Sequence, residues 1–199
     1  VQACGEHLWE VTNHKGASYV WTTEQCKEHL DKSILSLRTP EFFNQQDKED
    51  VHFDIYPYLL GCLIGDGCLS RKDVRFTTKD TELLDLLKPY LGDLMIKKSI
   101  HVNGLDYTFS SVNNKSNINW LRRKLNEFGL VGTSETKSIP HEYLDGSYNQ
   151  RLELLRGLMD TDGHVDKYGR LEFTTTSKEL IKDVQQLVFS LGGRGHIQF

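Results

Sequence analysis

No apolar run in this chain approaches the roughly 20 residues that a helix needs to cross a bilayer, so a membrane-spanning helix is excluded. Cysteine is scarce too. Cys4, Cys26, Cys62 and Cys68 form no CxxC pair, and no set of cysteines and histidines has zinc spacing. That argues against a zinc module and for a reduced, intracellular setting, cytoplasm or nucleoid. The first residues, Val1 to His7, have neither the basic nor the apolar part of a signal peptide. They also lack an initiator methionine, so the chain is expected to start inside a longer protein. An excess of positive charge, the usual mark of a nucleic-acid partner, is missing as well: 24 Lys and Arg stand against 28 Asp and Glu, for a net charge of −4.

What is present is enough for one good-sized core, or one core with a small appendage: 199 residues, 38% hydrophobic and 26% charged. The charge is also unevenly spread. Residues 1–57 carry ten acids and five bases, whereas residues 71–124 carry eleven bases and six acids. The second segment is the natural place to meet phosphates.

Two stretches are nearly alike. Leu59-Leu60-Gly61-Cys62-Leu63-Ile64-Gly65-Asp66-Gly67 and Leu155-Arg156-Gly157-Leu158-Met159-Asp160-Thr161-Asp162-Gly163 each read as an apolar helix with small residues four apart, ending in Asp-Gly. Each is followed by a strand (74–78 and 171–176), a helix (about 81–91 and 178–191) and a glycine (Gly92 and Gly192). The two acids lie 96 positions apart and the two Leu-Gly helix ends 100 apart, so both halves follow one plan. In the first half Asn103-Gly104 marks a hairpin between 97–102 and 105–111, and a helix is expected at about 117–128. In the N-terminal region, 7–11 and 18–22 read as paired strands. Thr23 is expected to cap a helix over 23–30. Residues 40–54 are polar and read as a linker.

One apolar helix ending in Asp-Gly is ordinary, because helices often stop that way. Two matched ones are not. Gly61 and Gly65, and Gly157 and Thr161, give each helix a small face on which two backbones can approach. Crossing there would bring Asp66 and Asp162 side by side, with Gly67 and Gly163 letting the chain turn away. Two carboxylates that close repel unless a cation lies between them, and all-oxygen ligands suit Mg²⁺ (or Mn²⁺). Such an ion activates water for phosphodiester hydrolysis.

These residues resemble the nine-residue signature of LAGLIDADG homing endonucleases, most nearly those embedded in inteins, over about residues 55–199. Lys137-Ser138-Ile139-Pro140 is similar to the Lys-x-Ile-Pro block that such proteins carry between the two copies. The resemblance implies an α+β fold, a pseudo-twofold αββαββα repeat whose sheets form a saddle over the DNA major groove. The repeats would be 55–145 and 146–199, the second incomplete because the chain stops where its hairpin should start. It implies Mg²⁺-dependent cleavage of double-stranded DNA by a monomer, with Asp66 and Asp162 as metal-binding acids and Lys137 assisting. Residues 1–38 resemble a β-rich piece of a Hint-type splicing domain. There Cys4-Gly5-Glu6-His7 stands for the Thr-x-x-His block and His7 assists the first acyl shift. The host protein would flank both ends, residues 39–54 would link the two parts, and this segment by itself should not splice.

Strand alternation places Arg75 and Thr77 toward the groove, with Val74 and Phe76 inward. In the second half Leu171 and Phe173 are expected inward, leaving Arg170, Glu172 and Thr174 outward. Arg71, Lys79, Lys97, Lys98, His101 and Lys115 complete the candidate DNA contacts, whereas Arg122, Arg123 and Lys124 read as the wet face of a helix. A non-catalytic nucleic-acid binder (a regulator or maturase) or a degenerate endonuclease is the competing function. Retention of both acids favours the enzyme, since a pure binder has no use for paired carboxylates near phosphates. A two-carboxylate glycoside hydrolase fails for want of sugar-binding aromatics near the helix ends.

Overall fold

Pro57 sits in the first turn of a helix whose residues 57 to 64 are all buried, which is how a helix apolar all round must be placed. In the computed structural model, which describes residues 4–12, 15, 17–29, 36–37, 48–69, 73–99, 104–111 and 119–198, the chain divides into two units, Val1–Asn44 and Gln45–Phe199.

In the first unit, β1 (Leu8–Thr12) pairs antiparallel with β2 (Ser18–Thr22) and with the short β3 (Ser36–Leu37), and α1 (Thr23–His29) follows β2 directly. Trp9 and Trp21 face each other across β1 and β2. The helix cap falls one residue earlier than expected. Gln25 N–H donates to Thr22 Oγ1 (3.2 Å) and Thr22 N–H donates to Gln25 Oε1 (2.9 Å), a reciprocal capping box. Thr23 is freed for another task and accepts the Trp9 indole N–H at 2.8 Å.

The second unit is built on α2 (Pro57–Asp66) and α6 (Tyr148–Asp162). From α2 the chain runs through β4 (Gly67–Cys68), β5 (Val74–Thr77), α3 (Thr81–Leu87, extended by a 3₁₀ turn to Tyr90), β6 (Leu94–Lys98), β7 (Asp106–Ser111) and α4 (Trp120–Glu127). These strands form one antiparallel sheet in the order β4-β5-β7-β6. After α5 (His141–Leu144) comes α6, whose start is fixed by the Ser147–Gln150 capping box. Then β8 (Gly163–Val165) pairs with β9 (Leu171–Phe173), and α7 (Lys178–Ser190) closes the unit. One face of the four-stranded sheet, with Val74, Phe76, Tyr107 and Phe109, packs on the helices through Leu83, Leu84, Leu87, Leu121 and Leu125. Burying Leu59, Leu60, Leu63 and Ile64 completely contributes about 1.5–3 kcal/mol each, against the conformational entropy of ordering them.

The described elements depart from the sequence expectation in several places. The hairpin strand begins at Leu94, well before residue 97, and Asn103 lies outside the described residues. The helix expected from 117 begins at Trp120 because Asn119 caps it, its side chain accepting from the N–H groups of Leu121 and Arg122. Most of the expected linker, 39–54, also lies outside the described residues. Its end is held to α5 and the start of α6: Phe53 stacks on Tyr143 of α5 at 4.1 Å, and Gln150 Nε2 of α6 donates to Val51 O. Leu171 does not face inward. It is 73% exposed, opposite the exposed Val165, because among the described residues β8 and β9 pair only with each other and no helix covers that position.

Candidate active site

The site begins where two backbones touch. A Cβ placed on Gly61 would lie 2.4 Å from Leu154 O, and one on Gly157 would lie 2.3 Å from Tyr58 O. No side chain fits between α2 and α6 at that crossing. One turn further along, Gly65 faces Thr161, whose hydroxyl turns back to donate to Gly157 O and Leu158 O (both 3.0 Å). The two helices therefore end together. A Cβ on Gly65 would also sit 3.5 Å from Asp162 Oδ2, so the carboxylate of Asp162 reaches the last turn of α2, beside Asp66.

Gly67 and Gly163 serve differently from the expected turn. Both have extended backbone (φ −72° and −84°), which any residue adopts, so no left-handed step is involved. They are small for lack of space: a Cβ would lie 2.1 Å from Leu63 O at Gly67 and 2.3 Å from Met159 O at Gly163. The chain leaves each helix by folding straight into a strand over the helix's last turn.

Lys137 approaches from the segment after α4. It is buried, and its Nζ donates to Gly65 O at 2.6 Å. Its backbone is pinned by α7: Ser177, the buried N-cap of that helix, donates its hydroxyl to Lys137 O at 2.6 Å, and Ile139 N–H donates to Asp183 Oδ2 at 2.8 Å. Burial raises the pKa of Asp66 above the usual carboxylate range; Asp162 pushes it further and Lys137 pulls it back. Burial raises Asp162 likewise, against the pull of Lys137. The ammonium of Lys137 is held below its ordinary value by burial, while both acids oppose that shift.

A pocket of about 430 Å³ opens beside Asp66 and Lys137, with Cys68, Leu69, Thr133 and Ser134 along its wall. Asp66 and Gly65 line it and the carboxylate of Asp162 lies next to Gly65, so the donors gathered at the two helix ends are oxygens: two carboxylates and a helix-end carbonyl. That set fits a hard divalent cation such as Mg²⁺, which keeps several waters of its own. Among the described residues no group of three or more His, Cys, Asp and Glu could hold a metal, so two carboxylates are the whole acidic contribution. The remaining positions would fall to water and phosphate.

The sheet carries the site outward. Cross-strand registry sets Cys68, Arg75, Thr108 and Lys97 in one row on the face away from the helices, with Thr77 and Asp106 beside them. Thr77 donates to Asp106 at 2.7 Å. Arg75 Nε is buried without a hydrogen-bond partner, as is Ser110 Oγ on the same face. Lys98 belongs to the opposite row, in register with Tyr107 and Phe76, at the exposed edge of the helix-facing side. Lys79 is exposed ahead of α3. Arg170 is committed to Asp166, with Nε and Nη2 each at 2.7 Å, and lies over Tyr168. Thr174 is exposed, and its N–H donates to Asp162 O at 3.4 Å. Arg71, His101 and Lys115 lie outside the described residues. His7, in the first unit, packs edge-on against Trp9 at 4.7 Å, and its carbonyl accepts the Thr23 N–H.

None of the three basic residues assigned to the wet face of a helix is free there, although Arg123 makes only an exposed ion pair with Glu127 at 3.8 Å. Arg122 is half-buried and its guanidinium donates to Leu69 O, holding the backbone at the rim of the pocket. Lys124 pairs with Asp54 (2.7 Å) and Glu127 (2.8 Å). Helical periodicity alone placed Arg122 beside Leu121 and so at the edge of the apolar stripe, the one signal that could have found it. Arg122→Ala is expected to lower the melting temperature by about 3–6 °C, the scale of one lost charge-assisted hydrogen bond of about 1.5 kcal/mol. Thermal unfolding of the variant beside the parent checks it.

Comparison with known proteins adds to this geometry. The LAGLIDADG-like domain matches residues 56–126 and 149–198, the two halves built around α2 and α6. The chain is also 33% identical over 165 residues to a replicative DNA helicase DnaB of Mycobacterium intracellulare, a match covering 83% of this chain and 23% of that protein. It is 32% identical over 152 residues to a replicative DNA helicase DnaB of a Synechocystis species, covering 67% of this chain and 17% of the relative. The chain thus spans less than a quarter of the length of these curated relatives.

Proposed function

Because this chain belongs to the LAGLIDADG-like domain family, we propose that it is the site-specific, Mg²⁺- or Mn²⁺-dependent double-strand DNA endonuclease of an intein. One observation carries this reading: two carboxylates at the ends of helices in backbone contact, with a buried lysine beside them. A packed core has no use for that arrangement, since burial and mutual repulsion oppose it.

Asp66 and Asp162 would hold the metal, which would supply Lewis-acid activation of a water and neutralisation of the leaving oxygen. Lys137 supplies a positive charge to the phosphate as its negative charge grows. Arg75, Thr77 and Lys97 face the major groove from the open side of the sheet. Lys79 and Thr174, with Arg71, His101 and Lys115, are further DNA contacts in this reading, whereas Lys98 lies on the helix-facing row of the sheet and Arg170 is committed to Asp166. Residues 55–199 are the nuclease, acting as a monomer because its two halves already supply both acids. Residues 39–54 are the linker, and residues 1–38 are part of the splicing domain, with His7 assisting the acyl shift.

The relatives suggest the host. A match confined to less than a quarter of a replicative helicase is what a segment inserted into such a protein would give. The target is then the helicase coding sequence without the insertion. A supercoiled plasmid carrying that uninterrupted sequence is expected to be cut to the linear form in Mg²⁺ and left intact in EDTA. Tight binding to the same plasmid with no cutting in Mg²⁺ or Mn²⁺ would instead make the chain a non-catalytic nucleic-acid binder.

A further inference from the structure

Everything the two motif helices bring to their meeting point is negative. Each C-terminus carries about half a negative charge from its unsatisfied carbonyls, and each also bears a carboxylate. Half-buried, that concentration of negative charge requires a cation. In this structure the cation is Lys137. Its ammonium donates to Gly65 O in the last turn of α2, and its attraction reaches both Asp66 and Asp162. It holds one member of the all-oxygen donor set described above, the Gly65 carbonyl, and is attracted by the other two, so the lysine and a divalent ion draw on shared acceptors. Two cations so close repel each other strongly at part-buried positions.

We propose that Lys137 is a resident counter-cation: its ammonium holds the Gly65 carbonyl beside the two carboxylates, competes there with the divalent ion, and is displaced toward the pocket when the ion binds. The proposal rests on the metal-site reading above. The displacement is confined to the side chain, because Ser177 and Asp183 pin the backbone on either side of Ser138. The ammonium therefore swings on its four-carbon stem into the pocket that it already lines. Metal binding and release of the lysine toward a phosphate become one linked event, and the coupling is reciprocal.

Lys137→Met and Lys137→Gln test this in the full chain without DNA, using Mg²⁺ alone as the probe in calorimetric titration and in thermal unfolding with and without the ion. Both variants are expected to bind Mg²⁺ about tenfold more tightly than the parent and to melt lower when metal-free. Lys137→Arg keeps the charge and is expected to bind as weakly as the parent. The glutamine variant keeps a donor for Gly65 O and guards against a methionine variant that does not fold. Mg²⁺ affinity that is unchanged or weaker in the uncharged variants overturns the competition, whatever their melting temperatures. No Mg²⁺ binding by the parent or any variant overturns the competition and the metal-site reading together.

Discussion

Asp162→Asn is expected to reduce DNA cleavage about a thousandfold and, in metal-free buffer, to make the protein melt higher than its parent. The first effect follows from losing one of the two acids proposed to hold the metal; three orders of magnitude correspond to about 4 kcal/mol of transition-state stabilisation, within what a bound metal supplies. The second follows from burial. The carboxyl groups of Asp66 and Asp162 are both held above the ordinary aspartate range, mainly because they are partly removed from water, and Asp162 raises Asp66 further. A raised value in the folded state means that the unfolded chain gives up its proton first. Rising pH therefore favours unfolding from the ordinary value near about 3.9 up through the raised one. Asparagine has the same shape and no such penalty. Its advantage is fully present at neutral pH and vanishes below the ordinary aspartate value, at about 2–4 °C for each kcal/mol relieved. Asp66→Asn is expected to behave alike. The double variant gains less than the two singles together, because Lys137 is then left buried with no carboxylate to face. Thermal melts in EDTA across pH 4–8, beside plasmid cleavage in Mg²⁺, check both arms; a metal-free variant that melts lower than the parent at neutral pH would contradict the burial argument.

The pairing of α2 with α6 was legible because glycine at helical spacing has one obvious use when it occurs twice on matched apolar helices. The sheet alternation of the first half was legible for the same kind of reason: Val74 and Phe76 could only face a core. Alternation also separates Lys97 from Lys98, since neighbours on a strand point to opposite faces, and grouping them as basic residues hid that. Leu171 shows the opposite limit. Apolar character predicts a buried strand face only where something covers it, and cover is a property of the whole sheet. The support of Lys137 by Ser177 and Asp183 joins residues about 40 positions apart, and no local pattern announces such a bond. Gly67 and Gly163 were readable as necessary glycines but not for the right reason. Sequence does not distinguish a glycine needed for its left-handed backbone from one needed for its missing Cβ.

Gly157→Ala is expected to be among the most damaging single methyl groups at the described positions. In an exposed helix the change would help, because alanine favours helix over glycine by about 1 kcal/mol. At this crossing the added carbon would stand 2.3 Å from Tyr58 O, 2.9 Å from Cys62 N and 3.1 Å from Gly61 Cα. All three are backbone atoms of the facing helix, so no rotamer change relieves the clash and the helices must separate. Overpacking costs typically about 1–3 kcal/mol and more when backbone has to move, so the clash exceeds the propensity gain. A net loss of roughly 3 kcal/mol lowers the melting temperature by about 6–12 °C. The separation also carries Asp162 away from Asp66. A displacement of about 1 Å in a catalytic pair costs on the order of a hundredfold in rate, so cleavage should fall even well below the new melting point. Gly61→Ala, whose added carbon would meet Leu154 O at 2.4 Å, is expected to match it. Gly195→Ala is the control, since nothing lies within 4 Å of its added carbon, and it should change stability by less than about 0.5 kcal/mol. Equal melting temperatures for the Gly157 and Gly195 variants would show that α2 and α6 do not meet backbone to backbone, and with that contact would go the reason for Asp66 and Asp162 to share one cation.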